Sequence, residues 1–372
     1  MKVLFVSWRD LANPLAGGSE VLIDRLACGL VDRGHDVSLL CGGPVESRPY
    51  VVRANGGTYT QYARAPLAYL RHFRQCDLVV DVTNGMSFFA PLWRWKPVLC
   101  LVNHVHTEHW GQWFPGPVAA LGHFLENQAM PRVYRNHLFV TVSRSSADSL
   151  QAIGVDSERI RIVPNGTDLI ETAASKSPQP LFLSLSRLVP HKRVELLVRA
   201  WERVHSEVGG RLVIAGSGPE AERLAAMAGE GIELVGQVSE EQKRRLLDEA
   251  WLLLHPSMLE GWGLVVMEAA AAKTPTIGFD VPGVRESIVH GDTGVLADSE
   301  DSFIQQWISL SRDHGLRADM GSAARERAAR FSWSATVEQF IPVAEEAIAR
   351  HHRLPEPRLG PAVVEECEGQ WI

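Results

Sequence analysis

The sequence predicts an α/β protein of two Rossmann-like halves, each a parallel sheet wrapped by helices, and three observations carry the prediction. Short apolar runs of strand length alternate with stretches of helical periodicity along most of the chain, the pattern of successive βαβ units. Residues 171–180, rich in Ala, Ser, Lys and Pro, interrupt the alternation, which restarts at 181. A chain of 372 residues also exceeds what one ordinary core organises, so two domains are expected.

Composition narrows the function classes. Hydrophobic residues at 45% and charged residues at 22% describe a globular chain. A formal net charge of −7 provides no footprint for nucleic acid, so no nucleic-acid partner is expected. Five cysteines (Cys28, Cys41, Cys76, Cys100, Cys367) are scattered, most of them in apolar runs and none in a C-x-x-C pair. Free thiols in a reducing, cytoplasmic compartment follow from that usage. The N-terminus runs directly into Lys2-Val3-Leu4-Phe5-Val6-Ser7 and then Trp8-Arg9-Asp10, which reads as a first strand rather than a signal peptide, and no run reaches membrane-spanning length.

The first half opens as β-loop-α-β. After the strand, Asn13-Pro14-Leu15-Ala16-Gly17-Gly18-Ser19-Glu20 feeds a helix with Ile23, Leu26, Ala27 and Leu30 on one stripe and Gly34 at its end, and 37–40 is the next strand. The glycine pair sits where a Rossmann-type unit places a ligand, although the loop matches neither the dinucleotide fingerprint nor the P-loop. Further strands are expected at 78–82, 98–102 and 138–143. Asn103-His104-Val105-His106-Thr107-Glu108-His109-Trp110 follows one of them, at the sheet edge where open α/β folds bind ligands. Its histidines lack the H-E-x-x-H spacing and a nearby cysteine, so no metal is expected and hydroxyl recognition by one imidazole is the preferred reading.

In the second half, Ser186-Arg187-Leu188-Val189-Pro190-His191-Lys192-Arg193 links a strand at 181–185 to a helix striped with Val194, Leu197, Val198 and Trp201. Arg187 and Lys192 thus lie near a helix N-terminus, where cations gain nothing from the dipole and an anionic ligand would explain them. Strands at 212–215 and 232–235 lead into Gly216-Ser217-Gly218-Pro219 and Gly236-Gln237-Val238, and Ser239 with Gln242 forms a capping box. The central stretch is Leu259-Glu260-Gly261-Trp262-Gly263-Leu264-Val265-Val266-Met267-Glu268, a turn from a buried strand into a helix that Thr274-Pro275 stops. Its free amides suit phosphate or sugar oxygens, and Glu260 and Glu268 suit hydroxyl pairs. Helices are expected at 302–312, 316–330 and 334–350, and from 354 a Pro- and Glu-containing tail without order.

From residue 2 to about 340 these motifs, in this order, make the sequence resemble the retaining glycosyltransferases of the GT-B fold, in family 4. They are Gly17-Gly18, the strand-end histidine, Pro164-Asn165-Gly166, Arg187 with Lys192, Gly216-Ser217-Gly218-Pro219, and Glu260 with seven residues before Glu268. The resemblance implies two Rossmann-like domains facing across a cleft: 1–170 on the acceptor side, a linker at 171–180, a nucleotide-sugar domain at 181–333, and a helix at 334–353 that returns to the first domain. It assigns catalysis to Arg187, Lys192, Glu260 and His104. Donor binding goes to Gly18, Gly216, Gly263, Leu264, Val265 and Glu268, and Gly17 and His106 are acceptor-side candidates. The family's strand-end histidine falls on Asn103, His104 or His106, with His104 preferred.

The implied activity is transfer of a hexose-type sugar from a nucleoside-diphosphate sugar to a hydroxyl acceptor, with retention of configuration and with no metal or cofactor. A GT-B epimerase or phosphorylase and a non-catalytic sugar-nucleotide-binding subunit are the competing readings. Aromatic and basic residues in the first half, Tyr69-Leu70-Arg71-His72-Phe73-Arg74, Trp93-Arg94-Trp95-Lys96 and the run 110–114, fit an acceptor cleft or peripheral docking on the inner face of a membrane.

Overall fold

Two all-parallel sheets form among the described residues of the computed structural model, 1–106, 110–169 and 175–352. The first has the order β3-β2-β1-β4-β5-β6-β7, with β1 Lys2–Val6, β2 Asp36–Cys41, β3 Val51–Ala54, β4 Leu78–Thr83, β5 Val98–Val102, β6 Leu138–Thr141 and β7 Ile160–Ile162. The second has the order β10-β9-β8-β11-β12-β13, with β8 Leu181–Leu185, β9 Arg211–Ala215, β10 Ile232–Gly236, β11 Leu252–His255, β12 Thr276–Phe279 and β13 Gly294–Ala297. In each sheet the winding direction reverses beside the first strand, between β1 and β4 and between β8 and β11. The carboxyl edges at such a reversal leave a crevice open between diverging loops.

The central strands are legible in the sequence because helices cover both faces: every residue of β4 and β5 is buried, so β5 reads as an unbroken apolar run and β4 as one broken only by Asp81 before its terminal Thr83. The edge strand β3, largely exposed, and the four-residue β12 and β13 escape that test. The helix Gly18–Val31 lays Leu22, Ile23, Leu26, Ala27 and Leu30 on the first sheet, which is the predicted stripe with Leu22 added. Ser239 and Gln242 form the expected capping box on the helix Glu240–Glu249.

The last helix, Trp333–His352, leaves the second half and buries Val337, Phe340, Ala344 and Ala347 in the core that holds Phe5, Leu22 and Leu26. The rings of Phe5 and Phe340 stack with centroids 6.2 Å apart. Two passes of the chain cross at the base of this helix. Thr167 N donates to Phe331 O at 2.7 Å and Thr336 Oγ1 to Pro164 O at 2.8 Å. A Cβ on Gly166 would lie 2.4 Å from Trp333 N, so Pro164-Asn165-Gly166 is the seam between halves and its glycine is required by close approach.

Of the segment 171–180, residues 175–180 are anchored rather than free. Lys176 Nζ donates to Ala272 O at 3.0 Å, and Ser177 N to Glu249 O at 2.9 Å. Residues 170–174 and the expected tail from 354 lie outside the described residues. One expected surface feature is corrected: Arg94 is 3% exposed, its guanidinium donating to Tyr69 Oη, Cys76 Sγ and the carbonyls of Cys76 and Asp77. It braces the loop before β5 and is not available to a ligand or a bilayer.

Candidate active site

Between the carboxyl edges of the two sheets lies a cavity of about 1500 Å³, and every site residue nominated from the sequence lines it. Gly17, Gly18, His104 and His106 face it from the first half, and Arg187, Lys192, Gly216, Glu260, Gly263, Leu264, Val265 and Glu268 from the second. The walls touch: Gly18 lies against the Leu264 side chain, and the Glu286 carboxylate accepts from the backbone amides of Arg144 and Ser145 at 2.6 Å each, capping a helix of the other half.

The second-half wall is built on glycine-dependent backbone. Gly216 has φ +141°, and a Cβ there would fall 1.8 Å from Ser186 O, so the loop after β9 forms a floor on which 186–192 lies. Leu188 N donates to Ser217 O at 2.8 Å and fixes that contact. The turn Pro190–Lys192 then projects Lys192 toward Glu260. Gly263, at φ +81°, is the N-cap of the helix Leu264–Ala271 and brings no capping side chain. Gly263, Leu264 and Val265 line the cavity and no side chain caps the helix start, an arrangement suited to an anion.

Charges are matched unevenly. The Glu260 carboxylate pairs with Lys192, and His255 Nε2 lies 2.9 Å from its Oε1. Burial opposes ionisation, but Lys192 and His255 outweigh it and hold Glu260 well below the usual carboxylate range. Glu268 pairs with Lys243 at 2.7 Å, and Lys243 also reaches Glu240 at 2.8 Å. Burial pushes Glu268 up, with Lys243 opposing. Arg187 is different: among the described residues its guanidinium makes no hydrogen bond or ion pair. Accessible inside the cavity yet ringed by protein, with Arg9 nearby, it is held below the usual arginine range. Glu20 and Glu260 oppose that shift from beyond contact distance, and a partly desolvated cation with no carboxylate against it is stabilised by an anion arriving beside it.

On the first-half wall, Glu20 is 2% exposed and organises the glycine loop, accepting from Gly17 N at 2.7 Å, Trp8 Nε1 at 2.7 Å and Arg9 Nε at 3.0 Å. Asn84 and Asn103 both donate to Ser19 Oγ at 2.9 Å. Asn103 is thereby committed to the loop framework. His104 instead lies with its ring 4.1 Å from that of His106 and within electrostatic reach of Glu260 and Lys192, and burial, then His106, keeps it well below the ordinary histidine pKa. The neutral ring therefore offers one donor and one acceptor to the cavity.

Lys243, His255, Glu20 and Glu126 were not nominated from the sequence. His255 ends an apolar run with a polar side chain directly before the Glu260 loop, a signal that was present. Lys243 reads as the outer face of a capped helix, and only tertiary packing brings it to Glu268. Among the described residues no three His, Cys, Asp or Glu side chains form a metal-holding group; His109 lies outside them.

Residues 16–171 match Glycosyltransferase Family 4, and residues 167–327 match Glycosyl transferases group 1. The chain is 25% identical over 415 residues to the D-inositol 3-phosphate glycosyltransferase of Acidothermus cellulolyticus, covering 94% of this chain and 90% of that one. Over 175 residues, 45% of this chain and 46% of the other, it is 31% identical to the N-acetyl-alpha-D-glucosaminyl L-malate synthase of Bacillus anthracis. Sucrose-phosphate synthase from Thermosynechococcus elongatus superposes with a TM-score of 0.78 at 18% identity, over 94% of this chain and 100% of that one. Anabaena HepE, solved with UDP and glucose, superposes with a TM-score of 0.76 at 16% identity, over 93% and 100%. At such identities the structural likeness speaks for the fold, while the two matched families span both halves. The chain belongs to the family 4, group 1 glycosyltransferases and has their GT-B fold.

Proposed function

We propose that this glycosyltransferase moves a hexose-type sugar from a nucleoside-diphosphate sugar to a hydroxyl acceptor with retention of configuration, without a metal or cofactor of its own. The observation that carries the reading is the convergence of Arg187, Lys192 and the uncapped start of the helix Leu264–Ala271 on one cavity, with Glu268 a helical turn away. Cleaving a glycosyl–phosphate bond leaves charge on the diphosphate, and fixed cations and amides act where that charge develops. Glu268 receives the ribose hydroxyls and Glu260 the donor sugar. The acceptor hydroxyl attacks from the leaving group's own face, and the departing phosphate takes its proton. Relatives named for D-inositol 3-phosphate and L-malate support a hydroxyl-bearing acceptor. A nucleotide-sugar donor and the free thiols Cys28, Cys41, Cys76 and Cys100 suit the cytoplasm.

The test is thermal-shift screening against a panel of nucleotide sugars, followed by transfer and donor-hydrolysis assays. A bound donor raises the melting temperature in proportion to its affinity. Glu268→Gln is expected to weaken the stabilising donor about 10-fold, the worth of roughly one charged hydrogen bond. If no nucleotide sugar stabilises the wild type, the donor reading fails.

A second partner is favoured by one observation. No helix among the described residues is long and apolar enough to cross a membrane. However, the helix Thr60–His72 exposes Leu67 and Leu70 beside Arg64 and Arg71, and Lys96 Nζ on Arg74 O at 3.1 Å brings the exposed Trp95 and Lys96 alongside. Apolar side chains ringed by cations suit an anionic bilayer surface. Co-sedimentation with anionic vesicles, lost in Arg71→Glu/Arg74→Glu and absent with neutral vesicles, is expected; equal recovery in the supernatant for both proteins would end this reading.

A further inference from the structure

The helical stretch behind the first-half wall changes geometry where it meets the cavity. Gly116–Phe124 is α-helical, Leu125–Ala129 takes π geometry, and α-helix resumes over Met130–Val133. A π turn inserts one extra residue at a cost in backbone geometry and recurs at functional sites. Within this insertion Glu126 is 1% exposed. Its Oε1 accepts from His106 N at 2.9 Å and lies 3.2 Å from His106 Nδ1, and its Oε2 accepts from Trp110 Nε1 at 2.8 Å. Among the described residues no Lys or Arg pairs with it. A buried acid thus directs one oxygen to the loop that carries His104 and the other to Trp110 at the start of the helix Trp110–Trp113. Because Oε1 is an acceptor, the proton between it and His106 belongs on Nδ1, which sets the tautomer and plane of the ring that lies tilted against His104, centroids 4.1 Å apart.

We propose that Glu126 is a positioning residue for the transfer reaction: through His106 and Trp110 it holds His104 against the donor-sugar side of the cavity. The proposal rests on the donor reading above. A purely structural acceptor would not need to be ionised, whereas this carboxylate serves donors at both oxygens. Gln has one acceptor oxygen, and its amide would face either Trp110 or His106 donor to donor. Burial pushes Glu126 up to about 7, opposed by the donors from His106 and Trp110. His106, His104 and His123 are the titratable groups facing it, with Glu260 and Lys192 beyond His104; Glu108 and His109 lie outside the described residues. Above about 7 the carboxylate is ionised and accepts. Below it, the protonated carboxyl must find an acceptor, and His106 Nδ1 can serve only by giving up its proton.

The experiment uses the full chain. In wild type, transfer should rise with pH through a limb near 7. Glu126→Gln is expected to lower kcat about 10–100-fold, leave the donor KM within about 2-fold and lose that limb, as displacement of a reacting-site group does. A kcat within about 2-fold of wild type, or the same limb in the variant, overturns the proposal. Nitrogen-15 NMR of histidine-labelled wild-type protein keeps the proposal testable if the variant does not fold. A proton on His106 Nδ1 above the limb is expected, and a bare Nδ1 there overturns the assignment. This measurement needs no sugar, so a chain that binds no nucleotide sugar but shows the Nδ1 proton separates failure of the donor reading from failure of this one.

Discussion

Lys192→Ala is expected to lower kcat for transfer by about 10²–10³, roughly 2.7–4 kcal/mol of transition-state stabilisation. Arg187→Ala should do the same, and the two variants differ in how they affect the resting protein. The Lys192 and Glu260 side chains are 12% and 16% exposed, and Lys192 is the principal group holding Glu260 ionised. Removing it leaves a largely buried carboxylate with His255 as its remaining partner, which destabilises as well as inactivates. The sign follows from the direction of the shift. A depressed carboxyl contributes stability above its unfolded pKa and loses that contribution as pH falls through the lower folded value, so Lys192→Ala should melt earlier at neutral pH and converge on wild type in strong acid. Arg187 makes no contact ion pair among the described residues, and of the carboxylates only Glu20 and Glu260 act on it from a distance. Its alanine variant should keep the wild-type melting temperature, or exceed it, while losing turnover. Steady-state kinetics with calorimetry decides: turnover near wild type in both variants removes these cations from the chemistry, and equal melting losses in both make Arg187 an ordinary structural charge.

The same contrast explains what could be read in advance. The glycine turns and the two cations were visible because each breaks a local rule, glycine where the chain leaves a strand and cations at a helix start, and the two acids because Glu260 and Glu268 interrupt an otherwise apolar strand–turn–helix stretch. Local rules also placed β1, β4, β5 and β8, whose burial on both faces writes mostly apolar runs into the sequence, broken only by Asp81 and Thr83 in β4 and Ser184 in β8 apart from the exposed Lys2 that opens β1. They did not place β3, whose exposed V-V-R-A pattern carries little apolar signal, nor β12, four residues of which one is Gly278. Arg94 was misread for a related reason. A basic residue among aromatics has the same composition on a surface as in a core, and only Tyr69, Cys76 and Asp77, brought from elsewhere in the chain, decide between them. Glu126 and Lys243 are charged residues in helices and look solvated until the fold delivers their partners.

Gly216→Ala is expected to show that the cation loop depends on the backbone beneath it. At φ +141° alanine is strained, and the added methyl would sit 1.8 Å from the Ser186 carbonyl oxygen, a backbone atom that no rotamer change can move aside. Relief requires lifting the 186–192 loop, and that loop is held by Ser186 N on Ala215 O at 3.2 Å and Leu188 N on Ser217 O at 2.8 Å. Breaking those contacts and straining the turn should cost about 1–3 kcal/mol, a drop of several degrees in melting temperature for a chain of this size. Arg187 and Lys192 ride on the loop, so the donor KM should rise as well, by about 10-fold or more, because sub-ångström placement of phosphate ligands governs binding and rate. Gly229→Ala is the control: a Cβ there meets nothing within 4 Å, and neither stability nor KM should change. Should Gly216→Ala behave like that control, the loop is not seated on Gly216 as described. The cations would then owe their position to Glu260 and the opposite wall rather than to the strand edge that carries them.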